Sequence, residues 1–132
     1  MDNRYQLYLD DIIKYGNNAQ FIHNGWNCVL QRNTHSGIWT GYVKVPKGNA
    51  INIFDIDIGI NVYIIADPDE WDHIKICFDC GHIQDFIPGD FKIMKGLIPI
   101  PRLKVYRDYT YAHNKLILLY QQIILLSANQ KL

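Results

Sequence analysis

A chain of 132 residues, 48% hydrophobic and 20% charged, fits one globular domain, numbered here 1–132, that buries about two thirds of its unfolded surface on folding. Its thirteen Asp and Glu offset thirteen Lys and Arg, which excludes the basic surplus of a general DNA binder and the acidic surplus of a DNA mimic. MDNRYQLYLDD is no secretory signal, the apolar runs break well short of ~18 residues, and three cysteines, an odd number, read as reduced thiols.

The first predicted element is a short amphipathic helix over about residues 3–15, with Tyr5, Tyr8, Leu9, Ile12 and Ile13 at helical spacing and Gly16 as its stop. From residue 26 the period changes to two. WNCVLQR and GIWTGYVKV, joined by the turn chemistry of NTHSG, read as a β-hairpin that ends at Pro46 and Gly48. NIFDIDIGINVYIIA follows as a strand, with Phe54, Ile56, Ile58 and Ile60 on one face and Asp55, Asp57, Gly59 and Asn61 on the other. ADPDEWD is a turn, and HIKICFD a further strand. Residues 86–105 hold three prolines and several basic residues, which predicts an irregular arm. DYTYAHNKLILLYQQIILLS is the clearest helix, capped by Asp108 or Thr110. Ala112, Leu116, Leu119, Ile123 and Leu126 form its core stripe. Ile117, Leu118, Ile124 and Leu125 lie off that stripe, so the helix needs a second cover, from the arm or another subunit. The class is α+β: an antiparallel sheet of four to five strands on a C-terminal helix, with a short N-terminal helix.

The stretch ICFDCGHIQD concentrates the reactive residues. Cys77, Cys80 and His82 have metal-knuckle spacing, but strand residues three apart point to opposite faces, so the thiols diverge and no metal is expected. Cys80 and His82, oriented by Asp85, are the residue set of an activated thiol. The plainer reading makes Cys77 or Cys80 a small core residue and lets His82 and Asp85 cap the strand end. Asp55 and Asp57, with Asp79, could face a divalent ion, yet acid alternating with Ile is also how a sheet keeps one face in water. Trp26, Trp39 and Trp71 lack interleaved basic residues and read as core or edge packing, so the sequence carries no strong nucleic-acid signature.

Taken in order, NGWNCVLQRNTHSGIWTGYVKVPKGN, FDIDIGINVY, CFDCGHIQD and YRDYTYAHNKLILLYQQI resemble a family of small bacteriophage and prophage proteins. Its members carry GYV-x-VP-x-GHP, DIDVHGG-like and FDCAH-x-GD segments and a YRDL-type start to the last helix. The resemblance spans roughly residues 23–126 and implies a viral origin and an α+β fold. Cys80, His82 and Asp85 match. Asn49 and Ala50 replace the expected His-Pro, and Gly59, Ile60 and Asn61 replace the His-Gly-Gly, so one of three family histidines remains.

The function expected from this is inhibition of a bacterial defence system, in the manner of an anti-CRISPR protein, by binding a host defence protein or complex in the host cytoplasm. Phe91, Lys92, Met94, Lys95, Arg102 and Lys104 on the arm, with Ile117, Leu118 and Leu125 on the last helix, are the candidate contacts. No cofactor and no membrane partner are expected. The alternative is a small hydrolase or nucleotide-binding protein using Cys80, His82 and Asp85. A homodimer is compatible with either.

Overall fold

Asp2 opens the first helix by accepting a hydrogen bond from the Arg4 backbone N–H at 2.9 Å. This is the geometry of the computed structural model, which describes residues 2–23, 26–48, 51–94 and 97–129. Helix α1 (Asn3–Tyr15) closes where Gly16, at φ 70°, bonds the Ile12 carbonyl at 2.8 Å, as its sequence predicts. Its inward face holds a surprise: Asp11 is buried, whereas Ile13 of the predicted stripe is 84% exposed.

Five strands follow: β1 (Asn18–His23), β2 (Trp26–Arg32), β3 (Trp39–Pro46), β4 (Tyr63–Ala66) and β5 (His73–Asp79). They form one antiparallel sheet in the order β1-β2-β3-β5-β4. The α+β expectation stands. The β2–β3 hairpin turns where predicted, with the Asn33 carboxamide accepting from the His35 and Ser36 N–H groups at 2.9 Å. Strand β1 was not expected. Its alternation is short, with Ala19 and Phe21 against the core and Gln20 and Ile22 outside.

The long strand predicted over residues 52–66 is corrected by the structure. Only Tyr63–Ala66 pairs with β5. Residues 51–62 instead form a loop that opens with a 3-10 turn (Ile53–Asp55), capped by Asn52. Ile56 and Ile58 are buried as predicted, but Phe54 is 91% exposed.

Helix α3 (Tyr109–Asn129) packs on β2 and β3. Asp108 caps it, accepting from the Tyr111 N–H at 2.9 Å. Ala112, Leu116, Leu119, Tyr120 and Ile123 are buried against Leu30, Val43, Ile76 and Phe78, while Leu126 packs at the margin. The 51–62 loop covers part of the other side of α3, while Leu118 and Leu125 stay 42% and 63% exposed. Gln122 exchanges hydrogen bonds with the Asp57 backbone at 2.7 and 2.6 Å, and Lys115 Nζ reaches the Ile58 carbonyl at 2.5 Å.

The segment expected to be irregular begins as helix α2 (Pro88–Met94), seated on α1 by a Tyr5–Phe91 ring contact at 4.7 Å. Its two ends meet in a parallel bridge between Asp85 and Val105. Among the described residues no helix is long and apolar enough to cross a membrane.

Candidate functional site

Strand β5 ends at Asp79, and the next six residues carry the chemistry that the sequence singles out. Asp85 organises them. Its Oδ2 accepts from the His82 backbone N–H at 2.9 Å and lies 3.1 Å from His82 Nδ1; its Oδ1 accepts from Arg107 Nε at 2.9 Å. The carboxylate is 3% exposed. A buried carboxylate facing Nδ1 makes that nitrogen the donor and turns Nε2 outward. Nε2 then lies 3.9 Å from Asp79 Oδ1, an oxygen already accepting from the Gly81 N–H at 3.0 Å. His82 is thus an oriented, partly exposed imidazole. Arg107, which stacks on the Tyr111 ring at 4.6 Å, completes the group. The one sequence signal for Arg107 is its position in the YRD start of the last helix.

Cys80 does not share that exposure. It is 2% exposed and belongs to the core cluster with Ile76 and Phe78. Burial, reinforced by the Asp85 and Asp79 charges, pushes its thiol up to about 12. Cys77 is also buried but lies outside that cluster, as opposite strand faces require, and burial pushes its thiol up to about 12 too. Cys28, a core residue, rises to about 11. Thiols held that high are core filler rather than nucleophiles or ready metal ligands.

Among the described residues, the group of three metal-ligand side chains with atoms all within 4.8 Å of one another is Glu70, Asp72 and His73, on the β4–β5 turn and the first residue of β5. Lys44 already supplies a cation there. Its Nζ is 3.0 Å from Glu70 Oε1 and 3.0 Å from the buried Asp67 carboxylate, and the two acids raise the lysine to about 12. Asp55 and Asp57 are exposed on the 51–62 loop, where Asp57 Oδ1 accepts from the Gly59 N–H at 3.0 Å. A hollow of about 430 Å³ lies there, lined by Ile53, Phe54, Asp57, Ile60 and Asn61 among others. A second, about 240 Å³, adjoins Asp11, Lys14 and Tyr106. His82 and Asp85 line neither.

A buried polar cluster that no sequence motif marks centres on Asp11. Asp11 Oδ2 accepts from Tyr106 Oη at 2.6 Å, Trp39 Nε1 at 2.9 Å and Arg32 Nη2 at 3.0 Å. The Arg32 guanidinium lies 4.2 Å from the Trp39 ring centroid and also donates to the Gly37 carbonyl at 3.0 Å. Burial would raise the Asp11 carboxyl, but the Tyr106, Trp39 and Arg32 bonds outweigh it and hold the group below its ordinary value. These residues tie α1, the β2–β3 hairpin and the entry to α3 together.

The predicted contact residues divide. Phe91 faces inward, its ring 6.2 Å from Phe86 and close to Tyr5. Lys92 and Arg102 are exposed, Met94 and Lys104 half-buried, and Lys95 lies outside the described residues, as do Asn49 and Ala50. On α3, Ile117 is half-buried while Leu118 and Leu125 are exposed. On the arm the large exposed apolar groups are Ile93, Leu97, Ile98 and Leu103, at 61–91%; elsewhere Phe54, Trp71 and Ile83 are 82–91% exposed.

Comparison with protein-family models, with curated proteins and with solved structures finds no match to this chain.

Proposed function

We propose that this chain is a binding protein of a phage or mobile element that inhibits a bacterial defence system by seating its arm on a host protein or complex. The observation that carries the reading is the arm's surface. Ile93, Leu97, Ile98 and Leu103 expose 61–91% of their surface within eleven positions, beside the exposed charges of Lys92 and Arg102. Apolar anchors with a charged rim are what a protein interface needs, and a soluble chain gains nothing by displaying them alone. The buried Cys80 thiol supports the same reading, because it removes the nucleophile from the competing one. The viral source rests on the four sequence stretches that resemble phage and prophage proteins.

A second reading keeps one specific support: the Asp85-held imidazole of His82, which has the geometry of a general base. One assay separates the two. Phage carrying the gene are plated on defence-positive hosts, and the wild-type chain should raise plating. The double variant Leu97→Asp/Leu103→Asp should lose that gain at an unchanged melting temperature, since both side chains are more than four fifths exposed. His82→Ala should keep it. Loss with His82→Ala at unchanged stability would transfer the function to the imidazole, and no gain from wild type on any such host would end the inhibitor reading.

A further inference from the structure

Within the arm, α2 is anchored by apolar packing, but Leu97, Ile98 and Leu103 face solvent and only Ile100 of the apolar residues in 97–104 other than proline is half-buried. The base of the arm is closed by the backbone bonds Phe86 N–H to Val105 O at 2.8 Å and Val105 N–H to Gln84 O at 3.1 Å. Beyond that base, among the described residues, the side-chain hydrogen bonds that reach 97–104 from outside the arm all come from Arg4. Its Nη1 donates to the Pro101 carbonyl at 2.7 Å and the Lys104 carbonyl at 2.9 Å, and Nη2 donates to the Ile100 carbonyl at 3.1 Å. The other side of the fork is locked. Asp2 accepts from Nε at 2.9 Å and from Nη2 at 2.6 Å, and the guanidinium carbon stands 4.6 Å over the Phe86 ring.

We propose that Arg4 is a clasp that orders residues 97–104 in advance, so that the arm meets its partner already shaped. This rests on the binding reading above and names the positioning residue for that surface. A planar guanidinium with five fixed donors spans three carbonyls and a carboxylate at once, which an ammonium cannot do. Without it, a segment showing Leu97, Ile98 and Leu103 to water has little to hold it to the body, and each partner encounter bears the ordering cost. Because the α1 cap uses the Arg4 backbone N–H and not its side chain, the clasp can be removed without uncapping the helix.

The test is limited proteolysis with thermolysin, which cuts before Leu and Ile, on wild type, Arg4→Ala and Arg4→Lys, with fragments identified by mass. Cleavage before Leu97 and Leu103 should accelerate about a hundredfold in Arg4→Ala, the scale of losing three hydrogen bonds at their usual net worth. Rates elsewhere in the chain should not change, and Arg4→Lys should recover little of the protection. Equal acceleration across the whole chain, or none at the arm, overturns the clasp. In the plating assay Arg4→Ala should retain less of the wild-type gain; full retention beside accelerated arm cleavage would show that ordering does not serve binding. If wild type itself gives no gain, the inhibitor reading fails, while proteolysis still decides the clasp.

Discussion

Cys80 and His82 stand two residues apart, yet burial assigns them opposite fates. The imidazole is held at the surface by Asp85, and the thiol is sealed in the core at about 12. At pH 8 a thiol near 12 is ionised about one time in ten thousand. All three cysteines should therefore stay unreactive toward a disulfide reagent such as DTNB in the native protein and react fully in denaturant. Rapid labelling of one thiol in the folded state would reinstate the nucleophile. The plainer reading of CFDCGH, a core cysteine with His82 and Asp85 bonded at the strand end, matches the structure, although a reactive thiol and a core thiol are spelled alike. What the letters did carry was geometry: residues 77 and 80 stand three apart where extended chain ends, hence on opposite sides.

At the scale of elements, the β3–β5 pair turns on one small residue. Gly41 lies opposite Phe78 in the register, and a Cβ at Gly41 would fall inside the Phe78 ring edge, with a Leu30 methyl 3.2 Å away. Gly41→Ala should lower stability by about 1–3 kcal/mol in urea denaturation, the usual cost of overpacking a full core. Combining it with Phe78→Leu should recover part of that loss, since the two changes share one space. If Gly41→Ala leaves the urea midpoint unchanged, the close approach is not tight. The same scale shows where periodicity misleads. Residues 52–62 alternate like a strand, and Ile56 and Ile58 are buried accordingly, but the partner they meet is α3 through Gln122 and Lys115. Alternation reports which side chains are inward and says nothing of whether the backbone finds a ladder. Strand β1 fails in the other direction: six residues with Ala19 and Phe21 inward but the apolar Ile22 outward gave too little pattern, and its pairing with β2 makes it a strand.

For the whole molecule, four carboxyls sit below their ordinary values, and this sets the acid limit of stability. In Asp2 and Asp72 the leading causes are the hydrogen bonds from Arg4 and His73. In Asp67 and Asp11 burial opposes the shift, and the bonds from Lys44, and from Tyr106, Trp39 and Arg32, overcome it. Groups lowered by folding contribute stability above their unfolded value, roughly 4, and lose it as pH falls through the lower folded value. Urea midpoints should be level through this contribution from about pH 5 to 8 and decline below about pH 4. Asp11→Asn should cost about 3 kcal/mol at pH 7, because it strands a buried Arg32 whose side chain is 1% exposed. The gap to wild type should narrow as pH falls below 4; a gap independent of pH would mean that Asp11 is not ionised in the native state.

The sequence by itself determined the kinds of parts: the capped helix 3–15, the hairpin turning at Asn33–Gly37, the last helix with its cap and core stripe, and an α+β class. Those are properties of neighbours along the chain, where turn chemistry, caps and spacing act over a few residues. Tertiary structure alone decided that Asp11 meets Arg32, Trp39 and Tyr106, that Cys80 is closed off while His82 is held open, and that Arg4 reaches across to residues 100–104. Each of these joins groups far apart in sequence or depends on what covers them, and burial and charge pairing have no local spelling.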